Sequence, residues 1–218
     1  MKEKQKMKEK VKEFIVKNLK WIILFICLIG FLTIAEDVFN KEIMNGDIVG
    51  YKLISTFLIS DFATPIAKFI TNFGGAIFLA VLTIILFILI KNKKIGVSIF
   101  SNLAIITALN QLLKNILQRP RPTEYRIIEE TGYSFPSGHS MISMAFYGYI
   151  IYLIYKYVKN KYVKWISMAL LSLLICSIGI SRIYLGVHYT SDVLGGFLIS
   201  ISYLVIYISA VNKFLIEK

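Results

Sequence analysis

Uninterrupted apolar runs, several close to twenty residues long, decide most of what this chain can become. "WIILFICLIGFLTIA" follows Lys20 and "AIFLAVLTIILFILI" follows Gly75. Neither run alternates as a half-buried strand would, and neither shows a clean amphipathic period. A helix needs about twenty such residues to cross roughly 30 Å of hydrocarbon, and in lipid the backbone must satisfy its own polar groups. The 218 residues, 56% of them hydrophobic, are therefore expected to form an all-α polytopic membrane protein with a single domain over 1–218. Six transmembrane helices are predicted, at 14–35, 72–90, 95–114, 138–157, 163–181 and 192–212.

Charge sets the orientation. A net charge of +12 would suit a nucleic-acid partner, but its distribution argues for no nucleic acid. Seventeen of the 25 basic residues sit in four lysine-rich ends and turns: 1–20, "KNKK" at 91–94, "KYVKNKYVK" at 156–164, and Lys213 to Lys218. The positive-inside rule puts all four in the cytoplasm, and six spans allow it. Both termini are then cytoplasmic, with 1–13 a Lys-rich leader. The first apolar run is read as an uncleaved anchor, although "LTIA" before Glu36 also offers small residues at cleavage-like positions. Segment 36–71 is expected outside, as extracytoplasmic or interfacial helices, because a seventh span there would turn "KNKK" outward. Cys27 and Cys176 lie in apolar runs and read as buried small hydrophobes. Usage rich in Lys, Ile and Asn suggests a bacterium, and hence its plasma membrane.

Arginine tells a different story from lysine. The chain has four, Arg119, Arg121, Arg126 and Arg182, all in the predicted outer segments, and both histidines, His139 and His188, border the same segments. Three clusters result: "KNILQRPRP" with Lys114 and Arg121, "PSGH" from Pro136 to His139, and "SRIYLGVHYTSD" with Arg182, His188 and Asp192. Each alone has a bland explanation. A span-end cation snorkels, Pro-Ser-Gly caps a helix, and a His beside an Asp is a structural pair. Together they describe one phosphate site at the extracytoplasmic rim. Ser137 and Gly138 open a helix whose N-terminal amides suit an anion, and Lys114, Arg121 and Arg182 supply fixed positive charge around it. A neutral His188 can attack phosphorus; Asp192, four residues on, is expected on the same helical face, orienting it. His139 can protonate the leaving alkoxide and later activate water.

The order K-x6-RP, PSGH, SR-x5-H-x3-D, over 114–192, resembles the three-part signature of the type 2 phosphatidic acid phosphatase superfamily, with every signature position filled. The six-span layout is similar to that of its bacterial membrane members, the undecaprenyl pyrophosphate and phosphatidylglycerophosphate phosphatases. The resemblance implies a metal-independent lipid phosphatase with no cofactor. By it, His188 is the phosphorylated nucleophile, His139 the general acid and Asp192 its partner. Lys114, Arg121, Ser137, Gly138 and Arg182 bind phosphate. Read directly, the outer loops also lack the carboxylate cluster that a metal pair requires.

The expected partner is a lipid phosphate whose tail stays in the bilayer. Arg119 and Arg126 lie outside the signature and leave two readings open: a second phosphate, or pairing with headgroups or with Glu124, Glu129 and Glu130. The first would favour a pyrophosphate. Undecaprenyl pyrophosphate is the favoured substrate, with phosphatidylglycerophosphate or phosphatidate next. The rivals are a soluble-type haloperoxidase, which the membrane spans oppose, and a transporter or phospholipid-binding receptor. A transporter is expected to carry ionisable groups inside its spans, which are almost uncharged here.

Overall fold

The computed structural model describes residues 2–41 and 44–213, with side chains from Phe14 onward. The side chains of the lysine-rich leader therefore lie outside what is described. Among the described residues eight helices follow one another: α1 (Lys2–Phe39), α2 (Asn45–Leu58), α3 (Ala63–Asn72), α4 (Ala76–Leu89), α5 (Lys93–Leu117), α6 (Gly138–Tyr157), α7 (Lys161–Tyr184) and α8 (Thr190–Val211). Their ends follow local chemistry. The Asn92 side chain accepts from the Lys94 amide at the start of α5, and the Asn160 side chain caps α7 through the Val163 amide. Gln118, in the left-handed region at φ 45°, closes α5 just before the Arg-Pro-Arg-Pro stretch.

Four of these helices are long and apolar enough to cross a membrane: α1 from Phe14, α5, α7 and α8. A fifth span results if α3 and α4, bent by 50° across a short break, count together. The break differs from the single predicted span at 72–90. Gly74 and Gly75 interrupt it, and a Cβ on Gly74 would fall 2.8 Å from Ile178 and 3.2 Å from the His139 ring. Close packing against the site thus requires glycine there, and the freed backbone is used: the Phe73 carbonyl accepts from the Tyr147 hydroxyl at 2.7 Å.

α6, expected as the fourth span, has the length but not the apolarity. His139, Ser140, Ser143 and five tyrosines lower its mean hydropathy. It packs against α5, α7 and α8, and Met141, Ala145, Phe146 and Tyr149 are almost wholly enclosed. A helix surrounded by protein can hold polar groups that a lipid-facing one cannot. The Tyr149 hydroxyl, for example, donates to Ser98 of α5 at 2.8 Å. Outer helices instead turn apolar side chains outward, among them Ile26, Ile29, Ile77, Ile88, Leu170 and Leu173. Cys27 is buried as expected, whereas Cys176 lies on the exposed face of α7; both thiols are free.

Segment 36–71 contains the end of α1, then α2 and α3, which pack on α7 and, for α2, on α8. Between α5 and α6 runs the helix-free stretch 118–137, which carries Arg121 and Pro122 of the first motif and Pro136 and Ser137 of the second. Phe135 pins it. Its fully buried ring stacks on Phe31 of α1 with centroids 5.7 Å apart, and a Cβ on Gly195 of α8 would lie 2.6 Å from it.

Candidate active site

The three clusters meet at one end of the bundle, around a cavity of about 500 Å³. Lys114, Arg121, Gly138, His139, Arg182 and His188 line it. Five elements supply them, with Gly138 and His139 both at the start of α6.

Lys114, in the last turn of α5, donates to the Tyr133 carbonyl. One turn earlier Asn110 donates to the Pro136 carbonyl at 3.2 Å, so α5 grips the motif loop at two points. A Cβ on Gly138 would come within 3.1 Å of Asn110 Oδ1, which is why the α6 N-terminus can sit this close to α5. Arg121 is clamped by carbonyls of Thr131, Gly132 and Val187 at 2.9–3.0 Å, leaving its Nη1 3.0 Å from His188 Nε2. Arg182, almost wholly buried at the end of α7, donates from Nη1 to Thr71 Oγ1 at 2.8 Å and from Nη2 to Glu130. Its Nε has no partner among the described residues.

The tautomer of His188 follows from these contacts. Arginine has donors only, so the Nε2 that faces Arg121 must carry a lone pair. The proton is then on Nδ1, which faces Asp192 Oδ2 at 3.2 Å and Ser134 Oγ at 3.3 Å. Burial pushes the His188 pKa down to about 4; the bond to Asp192 works against that shift, and Arg182 and Arg121 add to it. At neutral pH His188 is an uncharged imidazole with its lone pair turned into the cavity.

The His188–Asp192 contact forms differently from the prediction. The two do not share a helical face, because α8 begins only at Thr190. Asp192, in the first turn, reaches back to the Tyr189 amide at 2.9 Å, and this capping bond brings Oδ2 under the imidazole. Gly186, at φ +69°, makes the preceding turn possible and lies directly against the Tyr125 backbone.

Ser137 does not line the cavity. Its hydroxyl is spent on the α6 cap, accepting from the Ser140 amide at 3.4 Å and contacting Ser140 Oγ at 2.9 Å. Its amide donates to the Asp192 carbonyl at 3.1 Å. What the helix start presents to the cavity is Gly138 and His139, whose first-turn amides have no acceptor within the helix.

Several participants carry no signal in the sequence. Ser134, fully buried, donates to Asp192 Oδ2. Glu130 enters the cavity paired with Arg182. Burial raises its carboxyl pKa, but Arg182 and Arg121 outweigh this and hold it low. Arg119 points away from the cavity: it pairs with Asp192 and with Asp47 of α2, both at 2.7 Å. Arg126 donates to the Pro122 carbonyl at 2.6 Å and lies 3.8 Å from Glu129. Neither arginine lines the cavity. Among the described residues, no three His, Cys, Asp or Glu side chains are arranged to hold a metal ion.

The family model of the PAP2 superfamily matches residues 94–216, more than half of the chain. The chain belongs to the PAP2 superfamily. This PAP2 protein is 42% identical to phosphatidylglycerophosphatase B of Bacillus subtilis over 93 residues, which are 41% of this chain and 44% of that protein. The aligned stretch thus covers less than half of that relative's length. Against the undecaprenyl-diphosphatase of Sulfolobus acidocaldarius the identity is 26% over 191 residues, 82% of this chain and 84% of that one. The crystal structure of a transmembrane PAP2-type phosphatidylglycerolphosphate phosphatase from Bacillus subtilis superposes with a TM-score of 0.75 at 26% identity. That superposition covers 88% of this chain and 96% of the other. The PAP2 protein described here is therefore an all-helical, multi-pass membrane protein of a lipid-phosphatase family.

Proposed function

We propose that this chain removes the terminal phosphate of a membrane lipid through a phosphohistidine on His188, with no metal ion. The observation that carries the reading is the single cavity shared by Lys114, Arg121, Arg182 and both histidines at the start of α6. In the first step the His188 Nε2 lone pair forms the N–P bond as the P–O bond to the lipid breaks. His139 gives its proton to the departing alkoxide. Asp192 Oδ2 holds the Nδ1 proton, so the phosphorylated ring is a cation beside a carboxylate. In the second step water, giving its proton to His139, attacks phosphorus as the N–P bond breaks, which returns the lone pair to His188 Nε2 and releases phosphate. Through both steps the equatorial oxygens carry negative charge, which the three cations and the α6 amides oppose.

A phosphomonoester is favoured over a diphosphate. Arg119 is engaged by Asp47 and Asp192, Arg126 does not line the cavity, and the Glu130 carboxylate would repel a second phosphate. Phosphatidylglycerophosphate comes first and phosphatidate second. The likeness to the Sulfolobus undecaprenyl-diphosphatase keeps undecaprenyl diphosphate as the alternative.

Six spans fit the charge pattern: α1, the α3–α4 pair, α5, α6, α7 and α8, in one domain. The lysine-rich turns then lie in the cytoplasm with both termini, and the cavity opens outside a bacterial plasma membrane, with α2 at the outer interface.

The test is phosphate release from phosphatidylglycerophosphate, phosphatidate and undecaprenyl diphosphate in detergent containing EDTA. Wild type should release phosphate, and His188→Ala should lose roughly 10⁴-fold or more in kcat. Release that survives the substitution removes the nucleophile, release that needs added magnesium removes the metal-free cage, and no release from any lipid favours a binding protein.

A further inference from the structure

Arg119 and Asp47 sit behind the reacting groups, and neither touches the cavity. Their engagement is nevertheless complete. Arg119 Nη1 donates to Asp192 Oδ1 and to Ser191 Oγ, both at 2.7 Å, and Nη2 donates to Asp47 Oδ2 at 2.7 Å. The guanidinium lies over the Tyr189 ring, 4.1 Å from its centroid. Asp47 in turn accepts from the Ser191 amide at 2.8 Å and from Ser191 Oγ at 2.9 Å, acting as a cap on α8 supplied by another helix. All three charged side chains are at least nine-tenths buried.

Charges buried this deeply are costly unless they balance. Asp47, Arg119 and Asp192 together carry −1. They reach neutrality when His188 becomes a cation, which is its state while it carries the phosphoryl group on Nε2 and a proton on Nδ1. Direction matters as well. Asp192 Oδ1 is drawn toward Arg119, which leaves Oδ2 to His188, Ser134 and the Tyr189 amide.

We propose that Arg119 and Asp47 are positioning residues for the hydrolysis: the pair aims the Asp192 carboxylate at His188 Nδ1 and sets how strongly that carboxylate favours a cationic imidazole. This rests on the reading of His188 as nucleophile. It makes α2, which precedes the family-matched region, part of the site.

The groups facing His188 are Asp192 of α8, Arg182 of α7, Lys114 of α5, His139 of α6, and Arg121, Glu130 and Ser134 of the 118–137 stretch. None is altered by substituting Arg119 or Asp47, so these variants change only what stands behind Asp192. Arg119→Gln removes the cation that offsets Asp192; His188 then binds a proton more readily and the acid limb of kcat/KM moves up. Asp47→Asn removes an anion, and the limb moves down. The expected displacement is about one pH unit each way. kcat should fall roughly 10- to 100-fold in both, with KM within about threefold because the cavity lining is untouched. Arg119→Lys keeps the charge and should return the limb to its wild-type position with part of kcat restored.

The measurement is steady-state hydrolysis of phosphatidylglycerophosphate in detergent from pH 2.5 to 8, on protein that elutes as a single folded species. Ionisation of the substrate is common to all variants and cancels in the comparison. Limbs that stay together, or that move in one direction in both variants, overturn the proposal. So does a change in KM with kcat preserved. Should Arg119→Gln fail to fold, a downward limb in Asp47→Asn together with a wild-type limb in Arg119→Lys supports it, and any other pairing overturns it. His188→Ala is run alongside: if it turns over, the proposed function itself fails, whereas a dead His188→Ala with unmoved limbs sinks only the role of Arg119 and Asp47.

Discussion

Replacing Asp192 by asparagine should damage both turnover and folding, and the hydrogen bonds show why no orientation of the amide rescues it. The carboxylate accepts four donors: Arg119 on Oδ1, and Ser134, the Tyr189 amide and His188 Nδ1 on Oδ2. An asparagine has one oxygen and one NH2. With its oxygen toward His188, the NH2 faces Arg119, which cannot accept. With its oxygen toward Arg119, the NH2 faces the Tyr189 amide and drives the His188 proton to Nε2, against Arg121. The first orientation leaves a buried guanidinium beside a donor, and the second blocks the nucleophile. Arg119 keeps Asp47 as its counter-ion, so the cost is that of a buried hydrogen-bonding group left unsatisfied, about 1–3 kcal/mol. For a chain of this length that corresponds to a fall of roughly 2–12 °C in melting temperature. In the serine-protease triad the same exchange lowers kcat about 10⁴-fold through the wrong tautomer, and a loss of comparable order is expected here. kcat on phosphatidylglycerophosphate and thermal unfolding in the same detergent test both halves. A variant that melts like wild type and keeps kcat within tenfold would refute the donor count on which the reasoning stands.

Three further outcomes follow from the same geometry. His188 must be neutral to attack, and its pKa near 4 lies below that of a solvated histidine, so activity should rise with pH through about 4 and not through about 6.5; an enzyme-borne acid limb near 6.5, read as kcat/KM against pH, would contradict the buried imidazole. Glu130→Gln removes the anion that shares Arg182, and inhibition by inorganic phosphate or vanadate should strengthen roughly tenfold; an unchanged inhibition constant would mean that the carboxylate does not contest the site. Gly138→Ala places a methyl 3.1 Å from Asn110 Oδ1 and should cut kcat about tenfold or more, with partial recovery on adding Asn110→Ser; full activity in the single variant would show that α5 and α6 need not approach so closely.

Two expectations about the site turn on where the helices begin. The spacing of His188 and Asp192 suggested one helical face, but the chain turns between them, and the contact depends on where α8 begins. Ser137 was assigned to phosphate from its motif, yet a serine preceding a helix is claimed first by that helix's own amides. Arg119 and Arg126 showed only charge and proximity to the motifs. Their partners, Asp47 and Glu129, lie 72 and 3 residues away, and only the nearer was open to inspection of the sequence. The polar residues within α6 have a similar origin: whether a helix faces lipid or other helices is a property of its neighbours.

Composition and run length by themselves determined that this chain is helical and embedded in a membrane, because lipid leaves a backbone almost no other choice. The spacing of Lys114, Arg121, His139, Arg182 and His188 was equally legible, since each cluster is short and its chemistry is local. Only the packed structure decided the rest: that Glu130 enters the cavity, that Ser134 and the Arg119–Asp47 pair stand behind Asp192, and that α4 breaks from α3 at Gly74. These depend on contacts between segments far apart in the chain. A buried charge takes whichever partner the fold brings within reach, and sequence order does not record that choice.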